Sequence, residues 1–270
     1  MNDEGLRGPA ARAGGDNHSK NRWYREDLAY IHDVGFGDYA RRSAPRILEI
    51  LDRNQRIREG LVVDLGCGSG LGAHELTKAR YRVLGVDISE AMIAIAQRRV
   101  PEAEFRVGSL FEADIPTCEA VTSIGEVFNY LFDRGNDRQT LIRLFRRVYD
   151  ALIPGGVFVF DIAGPGQVLQ GAKDRVFSEG EDWLVLVEKE EDRERGMLTR
   201  RITNFRKVSD LYKRADEVHR LRLYTSADVA RALRKTGFRV RTIRGYGSYQ
   251  LPRARAALVA SKPARADAGS

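Results

Sequence analysis

The sequence predicts a doubly wound α/β fold: a mostly parallel sheet with helices on both faces, carrying an antiparallel β insertion late in the chain. Three observations predict it. Short apolar runs alternate with helical patterns from Leu61 to Asp161, as repeated βα units require. The glycine-rich stretch Gly66-Cys67-Gly68-Ser69-Gly70 follows the first of these runs directly, at the strand end where such sheets place their ligand crevice. Between Lys173 and Tyr224 the pattern is rich in strands with no helix between them. At 270 residues, 43% hydrophobic and 31% charged, the chain suits one large domain better than two.

Residues 1–20 lack periodicity and read as a flexible leader, 21–262 as the folded domain with 173–224 as its β-rich cap, and 263–270 as a flexible tail. From Asp27 to Arg56 the pattern is helical, with Ser43 as an N-cap, Pro45 in the first turn, and Ile47, Leu48 and Leu51 at helical spacing. Leu61 to Leu65 is a buried strand, a helix follows, and the strand from Val83 ends at Asp87. Ser89 caps a helix through Arg99; Glu104 to Val107 and Ala120 to Ile124 are the third and fourth strands. A helix from about Asp137 to Leu152, a turn at Gly155-Gly156 and the strand Val157 to Asp161 complete the repeats. The insertion contributes strands at Trp183 to Val187, Met197 to Phe205 and Glu217 to Tyr224. A helix from Ser226 to Thr236 then stops at Gly237, and strands near Phe238 to Ile243 and Ala256 to Ala260 close the fold.

No apolar run approaches the roughly 20 residues of a membrane helix, and the first 20 residues lack the apolar segment of a secretory signal, so a soluble cytoplasmic protein is expected. Cys67 and Cys118 stand alone, which argues against a structural zinc or a disulfide framework, and no metal is expected. The net charge of +7 raises nucleic acid as a partner, with four bases and one acid between Arg253 and Ser270 supplying +3 of it. The remaining charges are interspersed, as on a solvated surface.

Glycines at the end of a buried strand permit a sharp turn and the close approach of a ligand. Asp87 ends the neighbouring strand 19 residues after Gly68, where a carboxylate can accept from both ribose hydroxyls of a nucleoside. Gly68-Ser69-Gly70-Leu71-Gly72-Ala73 formally satisfies a dinucleotide fingerprint, which keeps an NAD-dependent oxidoreductase in contention. Its register is awkward, because a fingerprint starting at Gly66 meets Leu71 where the third glycine belongs.

Asp64-Leu65-Gly66-Cys67-Gly68-Ser69-Gly70, followed by Gly85-Val86-Asp87-Ile88-Ser89, strongly resembles the class I S-adenosylmethionine-dependent methyltransferases. Leu152-Ile153-Pro154-Gly155-Gly156 and Thr236-Gly237-Phe238 resemble the family's turns into its later strands. The resemblance implies a Rossmann-like seven-stranded sheet and S-adenosylmethionine as cofactor. It further implies that Asp64, Gly66, Cys67 and Gly68 lie along the cofactor, that Asp87 holds the ribose, and that Ile88 and Met92 touch the adenine. The family often has an acid after the glycine of the third strand; here Gly108 precedes Ser109-Leu110-Phe111, so the adenine contact falls to the Ser109 hydroxyl or to the backbone at Leu110. Gly125, after the fourth strand, stands where family members approach the transferable methyl group.

On the acceptor side, Glu126 is a candidate to hold an amine or take a proton, or else an ordinary helix-start carboxylate. His219 shares a strand face with Leu221 and Leu223, which makes it either a base in the cap or a core histidine bonded to backbone. His32 lies in Tyr30 to Tyr39, a stretch whose glycines suit a mobile aromatic lid or simple packing. Tyr39, Tyr130 and Tyr246 complete the acceptor candidates. The expected function is methyl transfer to N or O of a small molecule. An RNA methyltransferase and a non-catalytic scaffold retaining the fold compete with it. Nucleic acid is disfavoured because no Asn/Asp-Pro-Pro-aromatic motif follows the fourth strand; the oligomeric state is left open.

Overall fold

A computed structural model describes residues 23–54, 60–133 and 135–264. Two helices, α1 (Glu26–Phe36) and α2 (Asp38–Asn54), precede the sheet. Then β1 (Leu61–Leu65), α3 (Leu71–Lys78), β2 (Arg82–Asp87), α4 (Glu90–Arg99), β3 (Glu104–Val107), β4 (Cys118–Ser123), α5 (Arg138–Ala151) and β5 (Leu152–Ala163) alternate as predicted. The cap strands are β6 (Lys173–Glu179), β7 (Trp183–Asp192), β8 (Met197–Val208) and β9 (Leu211–Arg222). They are followed by α6 (Ser226–Thr236), β10 (Arg239–Ile243), the short β11 (Gly245–Tyr246) and β12 (Tyr249–Gln250), and β13 (Arg255–Ser261).

The main sheet has seven strands in the order β10-β13-β5-β4-β1-β2-β3, with β1 to β5 parallel and β13 and β10 antiparallel. The chain runs outward from β1 to β3, then returns to lay β4 on the other side of β1. The strand order therefore reverses at the β1/β4 edge, and the crevice opens there. Alternate residues face opposite layers: Val63, Leu65, Phe158 and Phe160 pack with Leu144, Phe145 and Leu233 of α5 and α6, while Val62, Ala120, Val157 and Val159 pack with Ile47, Leu51 and Leu76 of α2 and α3.

Several predicted boundaries move. Ser43 and Pro45 do not start a helix; they lie inside α2, where Ser43 is fully buried and its hydroxyl caps nothing. The buried stripe of Ala44, Ile47, Ile50 and Leu51 carries the helix past the amide that Pro45 lacks. The Tyr30 to Tyr39 stretch folds into α1 and the start of α2, with Gly37 between them, and it lines a cavity. Leu28 and Ile31 of α1 pack with Trp183, Val185 and Ile202 of the cap. Gly35 serves that packing: an added Cβ would stand 2.5 Å from Trp183 Cζ2. At Gly155-Gly156 the strand is continuous from Leu152, because both glycines pair with Lys262. Lys262 closes the folded domain: its Nζ caps the end of α5 on the carbonyls of Tyr149 at 2.7 Å and Leu152 at 2.6 Å. The leader, 1–20, and most of the tail lie outside the described residues.

The cap is a four-stranded antiparallel sheet, one strand more than predicted. β6 escaped notice because nearly every residue in it is exposed, which leaves no apolar alternation to read. Asn129 pins the sheet to the core: its side-chain amide donates to the carbonyls of Ala163 and Arg222 and accepts from Ala163 N.

Candidate functional site

The crevice and the cap enclose a cavity of about 500 Å³. Asp64, Gly66, Cys67, Gly68, Asp87, Ile88, Met92, Leu110, Phe111 and Gly125 line it, together with His32, Tyr39, Glu126, Tyr130 and His219. Two predicted residues do not. The Ser109 hydroxyl accepts from Phe111 N at 3.1 Å, and Tyr246 is 1% exposed with its hydroxyl on Asp161 at 3.3 Å.

The glycine loop divides its labour. An added Cβ at Gly66 would strike Val127 at 2.3 Å and one at Gly70 would strike Ala96 at 2.9 Å, so these two serve packing. Gly68, at φ +54°, has no atom within 4 Å of such a Cβ, and it is the position that presents bare backbone to open space. Its amide donates to Asp87 Oδ2 at 2.9 Å, while Oδ1 accepts from Ser89 N at 2.9 Å. A carboxylate has about four acceptor sites, so Asp87 keeps lone pairs for two hydroxyls of a ligand. Gly108 also meets no atom within 4 Å, and Ile88, Met92, Leu110 and Phe111 make an apolar slot beside it. Together these features fit an adenosyl group with a polar tail. Among the described residues no cluster of ligating side chains could hold a metal ion, and no helix is long and apolar enough to cross a membrane.

Asp64 Oδ1 accepts from Thr122 Oγ1 at 2.7 Å, and burial, opposed by that bond and aided by the Asp87 charge, pushes its pKa up to about 6. Burial also raises Asp133, an acid that lines the cavity near Ser109 and that no sequence pattern singled out.

At the cap end, His219 is fully buried and its Nε2 lies 2.8 Å from Glu217 Oε2. Glu217 also accepts from the amides of Tyr24 and Arg25, each at 2.9 Å, and so holds the start of α1 against β9. Burial works against its charge, but the His219 bond and these amides keep its pKa below the ordinary value. An ionised carboxylate only accepts, so Nε2 carries a proton, and the buried Nδ1 has no hydrogen-bond partner. Sequence could have offered Glu217: it stands two residues before His219 on the same strand face. Burial lowers the pKa of His32, against the pull of the Asp33 and Glu126 carboxylates.

Glu126 is neither a free base nor a free amine ligand. Its Oε1 accepts from Arg200 Nη2 and from Arg255 Nη2, each at 2.7 Å, and its Oε2 pairs with Arg255 Nη1. Burial raises its pKa, but the two guanidiniums win and hold it low. Arg255 had counted toward a basic terminus, whereas the fold turns it inward. Tyr39 lines the cavity with its ring, but its hydroxyl is spent on Asp161 at 2.6 Å.

Residues 62–156 match the model of a methyltransferase domain family. The chain is 30% identical over 195 residues to a putative methyltransferase of Geobacillus sp. (strain WCH70), covering 66% of this chain and 74% of that protein. It is 33% identical over 136 residues to the 18S rRNA (guanine(1575)-N(7))-methyltransferase of Saccharomyces cerevisiae, covering 44% and 48%. The sugar N-methyltransferase KedS8 of Streptoalloteichus sp. shares the fold at a TM-score of 0.70, with 21% identity over 97% of this chain and 98% of that one. The crevice at the strand reversal, the open backbone at Gly68, the acid ending β2 and these likenesses converge: the chain belongs to the class I S-adenosylmethionine-dependent methyltransferases.

Proposed function

We propose that the protein methylates a nitrogen or oxygen of a small molecule held between the cofactor loop and the cap. The observation that carries this reading is His219: a buried imidazole lining the cavity, its Nε2 held by Glu217 and its Nδ1 without a partner. In this reading Asp87 accepts from the ribose hydroxyls, Gly66, Cys67 and Gly68 run along the cofactor, Ile88, Met92, Leu110 and Phe111 flank the adenine, and Gly125 borders the methyl end. When bound, S-adenosylmethionine supplies a methyl group already activated by a sulfonium. The chain then has to align the acceptor, keep water out and accept a proton. His219 Nδ1 takes that proton from a hydroxyl, and Glu217 stabilises the resulting imidazolium; an amine that arrives neutral needs alignment alone. The cap strands and α1 line the cavity opposite the glycine loop and limit its exposure to water.

An RNA acceptor is the weaker reading despite the rRNA-modifying relative. Of the bases that made the terminus basic, Arg255 pairs with Glu126 inside the cavity and Lys262 caps α5, so a phosphate-binding footprint loses both. The test is transfer of labelled methyl from S-adenosylmethionine to a panel of small amines, alcohols and acids, and to total RNA. Incorporation into small molecules that falls on His219→Ala is expected. Incorporation into RNA alone would overturn the reading.

A further inference from the structure

The acceptor end of the cavity holds more guanidinium than this chemistry uses. Arg200 of β8 and Arg255 of β13 both line it and meet on Glu126. Arg200 Nη1 also donates to the Tyr130 hydroxyl at 2.9 Å. Each guanidinium has five N–H donors. After these contacts to Glu126 and Tyr130, both Nε–H groups are buried with no partner. The side chains are 12% and 18% exposed, and one Glu126 carboxylate, 4% exposed, answers two positive charges. The next carboxylate, Asp161, accepts from Tyr39, Tyr246 and the amides of Gly125 and Glu126, and it makes no hydrogen bond to either arginine. Lys189 of β7 also lines the cavity, but its Nζ is paired with Asp174 Oδ2 at 3.4 Å. Asp161 acts on Arg255 through its charge alone, so two buried guanidiniums hydrogen-bonded to one shared carboxylate still have donors to satisfy, and an oxyanion meets that demand with charge-assisted bonds.

We infer that Arg200 and Arg255 form an oxyanion subsite, so that the acceptor is a small acid carrying a carboxylate or phosphate as well as the nucleophilic nitrogen or oxygen. The inference rests on the cavity being the acceptor site, as proposed above. The subsite and the base are close. The Tyr130 hydroxyl, bonded to Arg200, lies 3.2 Å from the Tyr24 hydroxyl, and the Tyr24 ring centre lies 4.9 Å from that of His219. An acid docked on the arginines is thereby held with its other end toward His219. A neutral or cationic acceptor would leave the surplus donors unmatched. Glu126 acts here as a positioning residue, holding both guanidiniums at the cavity wall.

The test is calorimetry on the full chain saturated with S-adenosylhomocysteine, at low ionic strength, titrated with succinate, with inorganic phosphate and with succinamide as the uncharged match to succinate. At least one anion is expected to bind, with succinamide weaker by about tenfold or more, and the stronger of the two anions identifies carboxylate or phosphate as the group taken. Arg200→Gln and Arg255→Gln should each weaken anion binding about tenfold or more. Each leaves Glu126 its other guanidinium, and retained binding of S-adenosylhomocysteine reports that the variant is folded. No binding of either anion, succinamide binding as well as succinate, or folded variants binding as well as the wild type would each overturn the subsite. The first two comparisons need no variant. Methyl transfer to neutral small molecules in a protein that binds neither anion would refute the subsite alone, whereas transfer only to RNA would refute the proposed function.

Discussion

Asp64 gives a pH prediction whose size follows from its surroundings. The carboxyl is 6% exposed, and its pKa of about 6 stands roughly 2 units above the ordinary 3.8. The folded chain therefore keeps this proton at pH values where the unfolded chain has lost it. The contribution to stability is fully present below pH 3.8 and is lost as pH rises through about 6. At 1.36 kcal/mol per unit the loss is about 3 kcal/mol. Asp64→Asn removes the titration while keeping an acceptor for the Thr122 hydroxyl. The variant is expected to match the wild type near pH 3.5 and to exceed it by up to about 3 kcal/mol at pH 7, read from urea unfolding across that range. S-adenosylmethionine, which brings positive charge into the cavity, should stabilise the wild type more than the variant, so the gain in stability comes with a loss of affinity. A stability difference that stays constant from pH 4 to 7, or a variant less stable than the wild type at pH 7, would refute the reasoning.

Gly68→Ala places a Cβ in open space at φ +54°, so it should cost about 1–2 kcal/mol of backbone strain in a thermal melt while weakening S-adenosylhomocysteine binding at least about tenfold. Gly66→Ala, which drives a Cβ into Val127 at 2.3 Å, should lower the melting temperature considerably more. Gly35→Ala collides with Trp183, and hydrogen exchange in α1 should rise without change in the central strands. With a hydroxyl acceptor, His219→Ala should reduce kcat by about 10²–10⁴-fold. Glu217→Gln should give part of that loss and shift the pH profile of kcat, because an amide can donate to Nε2 and release the tautomer; an unchanged profile would reduce Glu217 to a tie for α1.

The fold was legible wherever its signals are local. Buried parallel strands appear as apolar runs, and Ser89, which accepts from Met92 N at 3.2 Å, and Gly237, left-handed at φ +115°, mark helix ends with their own chemistry. Ser43 failed as a cap because capping preference is weak beside a buried helical stripe. β6 was invisible because its place in the cap comes from pairing with β7, whose partners lie 5 to 17 residues away, and not from any apolar face of its own.

The same division runs through the site. The proposed cofactor end is built mainly by backbone at the tips of β1 and β2, and a contiguous pattern of glycines and one terminal acid points to it in the sequence. The acceptor end is built by side chains brought from Tyr24, Glu126, Arg200, Glu217 and Arg255, and no local pattern records that they meet. Charge counting misread Arg255 because it assumes that a base near the terminus faces solvent. Placed in the cavity, the same charge changes the meaning of Glu126, because a carboxylate already paired with two guanidiniums is committed to them and stays ionised too readily to serve as a base. What it does instead is fix two cations at a wall they would otherwise leave for water. In the proposed oxyanion subsite, the charge sign of the acceptor follows from how β4, β8 and β13 meet in space.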